Sequence, residues 1–566
     1  MRHIIFFYVF VLLLMSCSKN DDIFTHIQID DIPPRTEPEN PSENDTTANI
    51  DPATIPNDIW WNDEVFYEIF IRSFQDSDGD GIGDIQGLIN RLDYLNDGDP
   101  ETTTDLGVTG LWLMPIFPSP SSHGYDVVNY RDIHPDYGTL EDFRRLLNEA
   151  HKRGIKVIID FVGNHTSSQH PWFKASSSKA SKRDWYIWQE SKPNYNGPWG
   201  QNVWHQLNNA YYYGLFWDGM PDLNFKTKAV TDEIKEISRF WAIDIGVDGF
   251  RIDAVKHWIE EGVVQENTTS TLNWWRDFYA FQKGLRPSLM TVGEVWTSTE
   301  NILPYSDSRL DYCFEFDLAN NILDAINTKS ADGLKSKVNQ ITSNYAPFQY
   351  GTFLANHDQD RVINRLGESV VRAKLAASIL LSLPGVPYLY YGEEIGMSGV
   401  KPDENIRRPM QWDSSPNFGF SSGVPWHSMN TNASQFNVSL LQSEPNSLWN
   451  HYRDWIALRR MNTAMTEGKY TGLGSSLKNL FPFLRISGKD EGDLMFIHNL
   501  SDQNQTGFTI NSISSELKQG EYDLTNAFDQ NSVGRILVSS SGGFSFTFDN
   551  LTLPSYGSLC LRLEKN

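Results

Sequence analysis

The stretch Gly249-Phe-Arg-Ile-Asp-Ala-Val-Lys-His257 sets an Arg and an Asp two residues apart inside an apolar run of β type. Residues i and i+2 of a strand point to the same side, so Arg251 and Asp253 face one polar cavity. If the run is one strand of a closed parallel barrel, its C-terminal end opens at the face where such barrels carry their active sites. Arg251, Asp253, Lys256 and His257 then rise into a pocket. The competing reading is a buried Arg/Asp ion pair that only closes a strand end.

On either side of this stretch, apolar strand runs alternate with helix-period segments. Strands are expected at 65–74, 108–117, 156–162, 247–255, 289–296, 312–318, 351–358 and 386–391. Leu140, Phe143, Leu146, Leu147 and Ala150 share one helix face, as do Val230, Ile234, Ile237 and Trp241. This is an α/β pattern, and it predicts a (β/α)8 TIM barrel. One connection is anomalous: roughly 65 residues separate the third strand from the helix near Lys228, against about two to six in ordinary βα loops. An inserted domain at about 166–227 is expected there, where Trp185, Trp188, Trp199, Trp204 and Trp217 are placed to wall a sugar cleft or to pack the insertion. After a helix at about 447–462 come short strands at 481–486, 494–498, 507–510 and 558–562, which predict a C-terminal antiparallel β-sandwich over 466–566 and leave 58–465 to the barrel with its insertion.

With 39% hydrophobic and 13% aromatic residues, the 566-residue chain can bury a large core. A net charge of −25 repels nucleic acid and favours a neutral or cationic ligand. The three cysteines, Cys17, Cys313 and Cys560, exclude a disulfide scaffold and a cysteine metal cluster. Arg2 and His3 precede an apolar run, Ile4 to Met15, that is too short to span a bilayer and has the form of a secretory signal. Residues 18–57 are rich in Pro, Asp, Glu, Asn and Thr without apolar periodicity, as in a solvated tether.

The first strand run feeds Asp76-Ser-Asp-Gly-Asp-Gly-Ile-Gly-Asp84, which has the form of a calcium loop. Asp76, Asp78, Asp80 and Asp84 offer carboxylates and Ile82 a carbonyl to a hard cation. Gly87 stands where an EF-hand needs a bidentate Glu, so a structural ion clip is expected rather than a sensor. The reactive side chains gather at strand ends: Asp160, Asn164 and His165 after the third, Arg251 and Asp253 on the fourth, Glu294 on the fifth, His357 and Asp358 on the seventh. A pair of carboxylates can divide the labour of glycoside cleavage, one attacking the anomeric carbon and one protonating the leaving oxygen. Asp253 suits the first role and Glu294, beside Trp296, the second, although spacing alone does not assign them.

Asp160-Phe-Val-Gly-Asn-His165, Met220-Pro-Asp-Leu-Asn224, Gly249 to His257, Gly293-Glu-Val-Trp296 and Phe353-Leu-Ala-Asn-His-Asp358 together resemble the signature regions of glycoside hydrolase family 13, over about residues 60–566. The resemblance implies a retaining α-glucan enzyme with Asp253 as nucleophile, Glu294 as acid/base and Asp358 holding sugar hydroxyls. It also implies that Arg251, His165 and His357 line the same subsite, with Tyr125 stacked under the ring. Asn164 resembles the ligand of a second calcium between the barrel (domain A) and the insertion (domain B). Lys256-His257 looks like the α-amylase pattern, in which the pair holds the sugar beyond the scissile bond. Other stretches, such as Arg408-Pro-Met-Gln-Trp412, resemble oligo-1,6-glucosidases and trehalose synthases equally. An endo-acting α-amylase is therefore expected, with α-glucosidase, neopullulanase-like and transglycosylase readings as alternatives.

Leu14-Met15-Ser16-Cys17 resembles the lipobox of bacterial lipoproteins, so residues 1–17 are expected to be a lipoprotein signal peptide and Cys17 a lipid anchor. An outer-membrane position on the surface of a Gram-negative bacterium is expected, with a periplasmic face as the alternative. The partners expected are an α-glucan substrate and other glycan-uptake proteins.

Overall fold

The structure, a computed structural model, describes residues 59–306, 308–345, 350–488 and 492–566. The expected signal peptide, Cys17 and the tether lie outside the described residues. Strands β1 (Phe66–Ile69), β2 (Gly110–Leu113) and β3 (Lys156–Phe161) are followed by β4 (Trp188–Gln189), β5 (Trp204–Leu207) and β6 (Ala210–Tyr213) of the insertion. The chain then continues through β7 (Gly249–Ile252), β8 (Met290–Gly293), β9 (Tyr312–Phe314), β10 (Tyr350–Thr352) and β11 (Val386–Tyr390). All but β4–β6 pair in parallel and close a barrel in the order β1-β11-β10-β9-β8-β7-β3-β2. The eight barrel strands fall at the eight runs expected from the sequence, each shorter than its apolar run.

Along the barrel strands the inward face changes character. Phe66, Trp112, Ile158, Met290, Val292, Tyr312, Phe314, Val386 and Tyr388 form one buried cluster, with the Phe66 and Tyr388 rings stacked at 4.6 Å. This plug fills the lower barrel. Two residues further along, the same inward line reads Glu68 on β1, Asp160 on β3, Arg251 after Gly249 on β7, and Glu294 just beyond β8. Phe250, Ile252 and Ile159, on the alternate positions, join the core shared with the helices. The same alternation thus makes an apolar floor and a polar mouth.

The helices follow their apolar faces. Leu140–Lys152 buries Phe143, Leu146, Leu147 and Ala150, and a reciprocal Thr139–Asp142 capping box starts it. Lys228–Arg239 buries Val230, Ile234 and Ile237, while Trp241 follows in a π-type turn and donates to the Tyr130 carbonyl at 2.7 Å. In the insertion, β4-β6-β5 form a small antiparallel sheet over Val203, Trp204, Tyr213 and Leu215. Of its tryptophans, Trp185 and Trp204 are buried in packing, whereas Trp199 and Trp217 are exposed.

Beyond helix Leu448–Arg460 come β12 (Lys469–Gly472), β13 (Gly474–Ser475), β14 (Leu480–Ile486), β15 (Asp493–Asn499), β16 (Phe508–Ser512), β17 (Gly520–Asn526), β18 (Ser532–Val538), β19 (Phe544–Phe548) and β20 (Ser558–Lys565). They form antiparallel sheets ordered β12-β14-β15-β20-β17-β18 and β13-β16-β19. Leu484, Met495 and Leu561 from one sheet and Phe508, Ile510 and Phe548 from the other share one core, which is the signature of a sandwich.

Gly249, the first residue of β7, is required by close approach: a Cβ there would lie 2.4 Å from the Met290 carbonyl oxygen of β8. Gly249→Ala should therefore destabilise the barrel by about 1–3 kcal/mol, read as a lower Tm in calorimetry.

Candidate active site

Arg251 is the hub of the barrel mouth. Its Nη1 donates to Asp160 Oδ1 at 2.7 Å and to Asp253 Oδ1 at 2.9 Å, and its Nη2 lies 3.0 Å from Glu294 Oε1. The guanidinium sits 5.2 Å from the centre of the Trp112 ring, which supports it from the barrel floor. After Asp253 the chain turns through Ala254 in the left-handed region (φ 52°). That turn aims the Ala254 N–H at Glu294 Oε2, 3.1 Å away. Burial pushes the Asp160 and Asp253 carboxyls up against the pull of Arg251, and Glu294 and Asp160 add to the rise at Asp253.

The second half of the site is built around His357. Its Nδ1 lies 2.5 Å from Glu68 Oε1, and its Nε2 lies 2.6 Å from the Tyr125 hydroxyl and 3.2 Å from Asp358 Oδ2. Tyr125 donates to Asp160 Oδ2 at 3.0 Å, and its ring stacks on His357 at 5.5 Å. Asp358 also receives Arg407 Nη2 at 2.8 Å, while Arg407 Nε donates to the His357 carbonyl at 2.9 Å. Burial would raise the Asp358 carboxyl, but His357 and Arg407 hold it well below the usual range. Glu68 and Arg407 were not among the sequence-derived candidates. Glu68 carried a signal, being the one acid inside the apolar run Val65–Ile71. Arg407 carried none, since its partners at the site, Asp358 and His357, lie 49 and 50 residues away, and its local partner is Asp403 at 3.0 Å.

The insertion closes one side. His165 donates through Nε2 to the Tyr125 carbonyl at 3.0 Å, and burial lowers its pKa to about 3, so the ring is neutral. Asn164 Nδ2 donates to Asp222 Oδ2 at 2.9 Å, and its buried Oδ1 has no partner among the described residues. Burial raises Asp222 to about 7, and Glu260, also buried, is pushed well above the carboxylate range with Asp222 adding to the rise. An orphaned amide oxygen whose own side chain contacts a buried carboxyl is a donor set that a calcium ion would satisfy. Lys256 pairs with Glu266 at 2.8 Å, and His257 Nδ1 contacts the Gln265 carbonyl at 3.0 Å. The His257 ring touches Trp199 at 5.6 Å and Phe216 at 6.1 Å, and Phe216 in turn touches His165 at 5.3 Å. Trp199, 42% exposed, and Trp296, 44% exposed and stacked on Phe316 at 4.8 Å, leave apolar ring faces open to solvent.

In the loop after β1, Asp76, Asp78 and Asp84 bring ligating oxygens within 4.8 Å of one another. Asp80 stands outside that set, its Oδ1 accepting the Ile82 N–H at 2.7 Å. Asp76 is met by the N–H groups of Asp78, Gly79 and Gly81, and Asp84 by those of Ser77 and Gly87. Three converging carboxylates met by neutral N–H and hydroxyl donors form an oxygen set that fits calcium.

Comparison with known proteins agrees with this geometry. The family model described as alpha amylase, catalytic domain, matches residues 68–468. Alpha-amylase 3 of Dictyoglomus thermophilum is 41% identical over 453 residues, covering 79% of this chain and 86% of its own. An oligo-1,6-glucosidase of Parageobacillus thermoglucosidasius is 33% identical over 549 residues, covering 83% of this chain and 96% of its own. The crystal structure of an α-amylase from H. orenii superposes with a TM-score of 0.76 at 40% identity, covering 88% of this chain and 99% of that one. The fold and the matches define a glycoside hydrolase. The chain belongs to the α-amylase family, glycoside hydrolase family 13.

Arg407 is the cation that ties Asp358 to the loop beyond β11. Arg407→Met should lower kcat/KM on maltoheptaose by about 10- to 100-fold, as loss of an outer-shell partner does, with the folded fraction by circular dichroism unchanged.

Proposed function

We propose that this protein is a retaining, endo-acting α-amylase that hydrolyses α-1,4-glucosidic bonds of starch and maltodextrins. The observation that carries the hydrolytic half is the single guanidinium of Arg251 holding both Asp253 and Glu294. Two carboxylates on adjacent nitrogens of one guanidinium suit the short separation of a double displacement, about 5–5.5 Å, better than the 6.5–9.5 Å that leaves room for a water in an inverting enzyme. Asp253 attacks the anomeric carbon and Glu294 protonates the departing oxygen. Water, deprotonated by Glu294, then releases the sugar with its anomeric configuration retained. Asp358, held ionised by His357 and Arg407, accepts the sugar hydroxyls, and Tyr125 lies under the ring.

The α-amylase choice within the family is supported by Lys256-His257 and by the 41% identity to a protein named α-amylase. The open ring faces of Trp199 and Trp296 suit glucose units beyond the cleaved bond. A second reading, hydrolysis of α-1,6 bonds or transglycosylation, is favoured by the similarity to the oligo-1,6-glucosidase. Calcium bound by Asp76, Asp78 and Asp84 would brace the loop against Gly423 and Val424, where a Cβ on Gly81 would lie 1.8 Å from the Val424 carbonyl oxygen. A second calcium would take Asn164 Oδ1 and Asp222. Neither ion contributes a reacting group. Acylation of Cys17 would hold the enzyme at the cell surface, where polymer must be shortened before uptake.

Asp253→Asn and Glu294→Gln should each lower kcat by about 10³-fold or more without unfolding the protein. Proton NMR of the first wild-type product should show the α-anomer, and product profiles should give a ladder of maltodextrins from amylose. Glucose alone from chain ends, or trehalose from maltose, would overturn the endo-amylase assignment. Chelation should lower the Tm, since calcium at about 100 times its Kd contributes about 2.7 kcal/mol. Asp78→Ala should remove the part of that calcium dependence due to the 76–84 loop in differential scanning fluorimetry.

A further inference from the structure

We propose that Glu68, at the base of the pocket on β1, is a positioning residue that keeps His357 doubly protonated, so that the His357 Nε2–H is a permanent donor beneath the bound sugar. This deepens the reading above and rests on it.

The hydrogen-bond inventory carries the inference. Tyr125 has one hydroxyl proton, and its contact with Asp160 Oδ2 at 3.0 Å uses it, because the buried carboxylate can only accept. The Tyr125 oxygen is then an acceptor toward His357 Nε2 at 2.6 Å, so Nε2 must carry hydrogen. At the other end of the ring, Nδ1 lies 2.5 Å from Glu68 Oε1; burial raises the Glu68 carboxyl while His357 and Arg251 pull it back, and with Glu68 ionised Nδ1 carries hydrogen as well. A histidine that donates at both nitrogens is an imidazolium. Each alternative breaks a contact: neutral at Nε2, the ring would take the Tyr125 proton and leave Asp160 Oδ2 without its Tyr125 donor, Oδ1 keeping Arg251. Neutral at Nδ1, it would set a lone pair against a carboxylate.

The surroundings agree. The charged and titratable groups that face His357 are Glu68 from β1, Tyr125 from the loop after β2, Asp160 from β3, Arg251 from β7, its own neighbour Asp358, and Arg407, which binds its carbonyl. The anions outnumber the cations. Burial lowers the imidazole pKa, but Asp358 and Glu68 together outweigh it and push it up to about 10. The sign is that of a raised base: the charged form persists through neutral pH and is lost as pH rises through that value. Glu68 itself has aromatic neighbours in register, Trp112 on β2 and Tyr390 on β11, neither of which competes as a cation. The consequence is a fixed direction for every donor at the floor of the pocket, from His357 through Tyr125 to Asp160, and an Asp358 that stays ionised to accept sugar hydroxyls.

The test uses the full-length protein with nitrogen-15-labelled histidine. His357 is assigned by difference from His357→Gln. In the wild type both ring nitrogens should read as protonated between about pH 5 and pH 8. In Glu68→Gln, whose amide oxygen still accepts from Nδ1 but bears no charge, one nitrogen should titrate within that range. Glu68→Gln should lower kcat by about 10-fold or more, short of the about 100-fold that loss of a whole donor costs. In a His357→Gln background the same substitution should cost nothing further. A neutral His357 ring at pH 7 in the wild type would overturn the proposal without any variant. So would losses that multiply in the double variant, because Glu68 would then act through something other than His357. Residual hydrolysis by Asp253→Asn would instead sink the hydrolase assignment and leave the charge on His357 as measured.

Discussion

The mouth of this barrel depends on one buried cation. Arg251, 1% exposed, stands among Asp160, Asp253 and Glu294 at 2.7–3.0 Å. Taking these acids out of water costs several kcal/mol each unless a partner compensates, and one guanidinium with its planar fork compensates for three at once. Removing it would leave like charges buried and unpaired. The arrangement that gathers the carboxylates at the mouth therefore also supplies the cation that lets the fold bury them.

That constraint explains the division of the barrel into two layers. Below, Phe66, Trp112, Ile158, Val292 and Tyr388 fill the interior with rings and branched chains. Above, the next inward residues are Glu68, Asp160, Arg251 and Glu294, while at the rim Phe216 and Trp199 lean on His165 and His257. The plug holds the strands rigid, and a rigid frame is what lets hydrogen bonds at the mouth keep their directions without a ligand. The insertion is fastened to the same frame by the backbone bridge His165–Asp222 and by Asn164 Nδ2 on Asp222. Its exposed Trp199 is thereby held against His257 at the mouth.

Much of this was legible along the chain. The alternation of strand and helix runs was enough for the barrel, because each β/α unit carries its own period and its own apolar face. Asp160, Arg251, Asp253, Glu294, His357 and Asp358 stood out because polar side chains at strand ends within apolar runs have few structural explanations. The acidic loop after β1 was only partly legible: Asp76, Asp78 and Asp84 converge, while Asp80 turns to the Ile82 N–H. Spacing sets which carboxylates are near, and backbone turns decide which of them point inward. The insertion's tryptophans were indistinguishable by sequence, since burial of Trp204 and exposure of Trp199 depend on which side of a three-stranded sheet and its turns each one occupies.

The sequence by itself determined the fold class, the order of the elements and the residues at the strand ends, because those follow from local periodicity and from the two-residue repeat of a strand. Only the tertiary structure decided which of them meet. Glu68 reaches His357 across 289 residues because barrel closure brings β1 beside β11 and the end of β10, and Arg407 reaches Asp358 because the loop beyond β11 folds back over the mouth. Contacts between distant segments leave no period in the chain. They exist only once the barrel has closed, and closure is a property of all eight strands together.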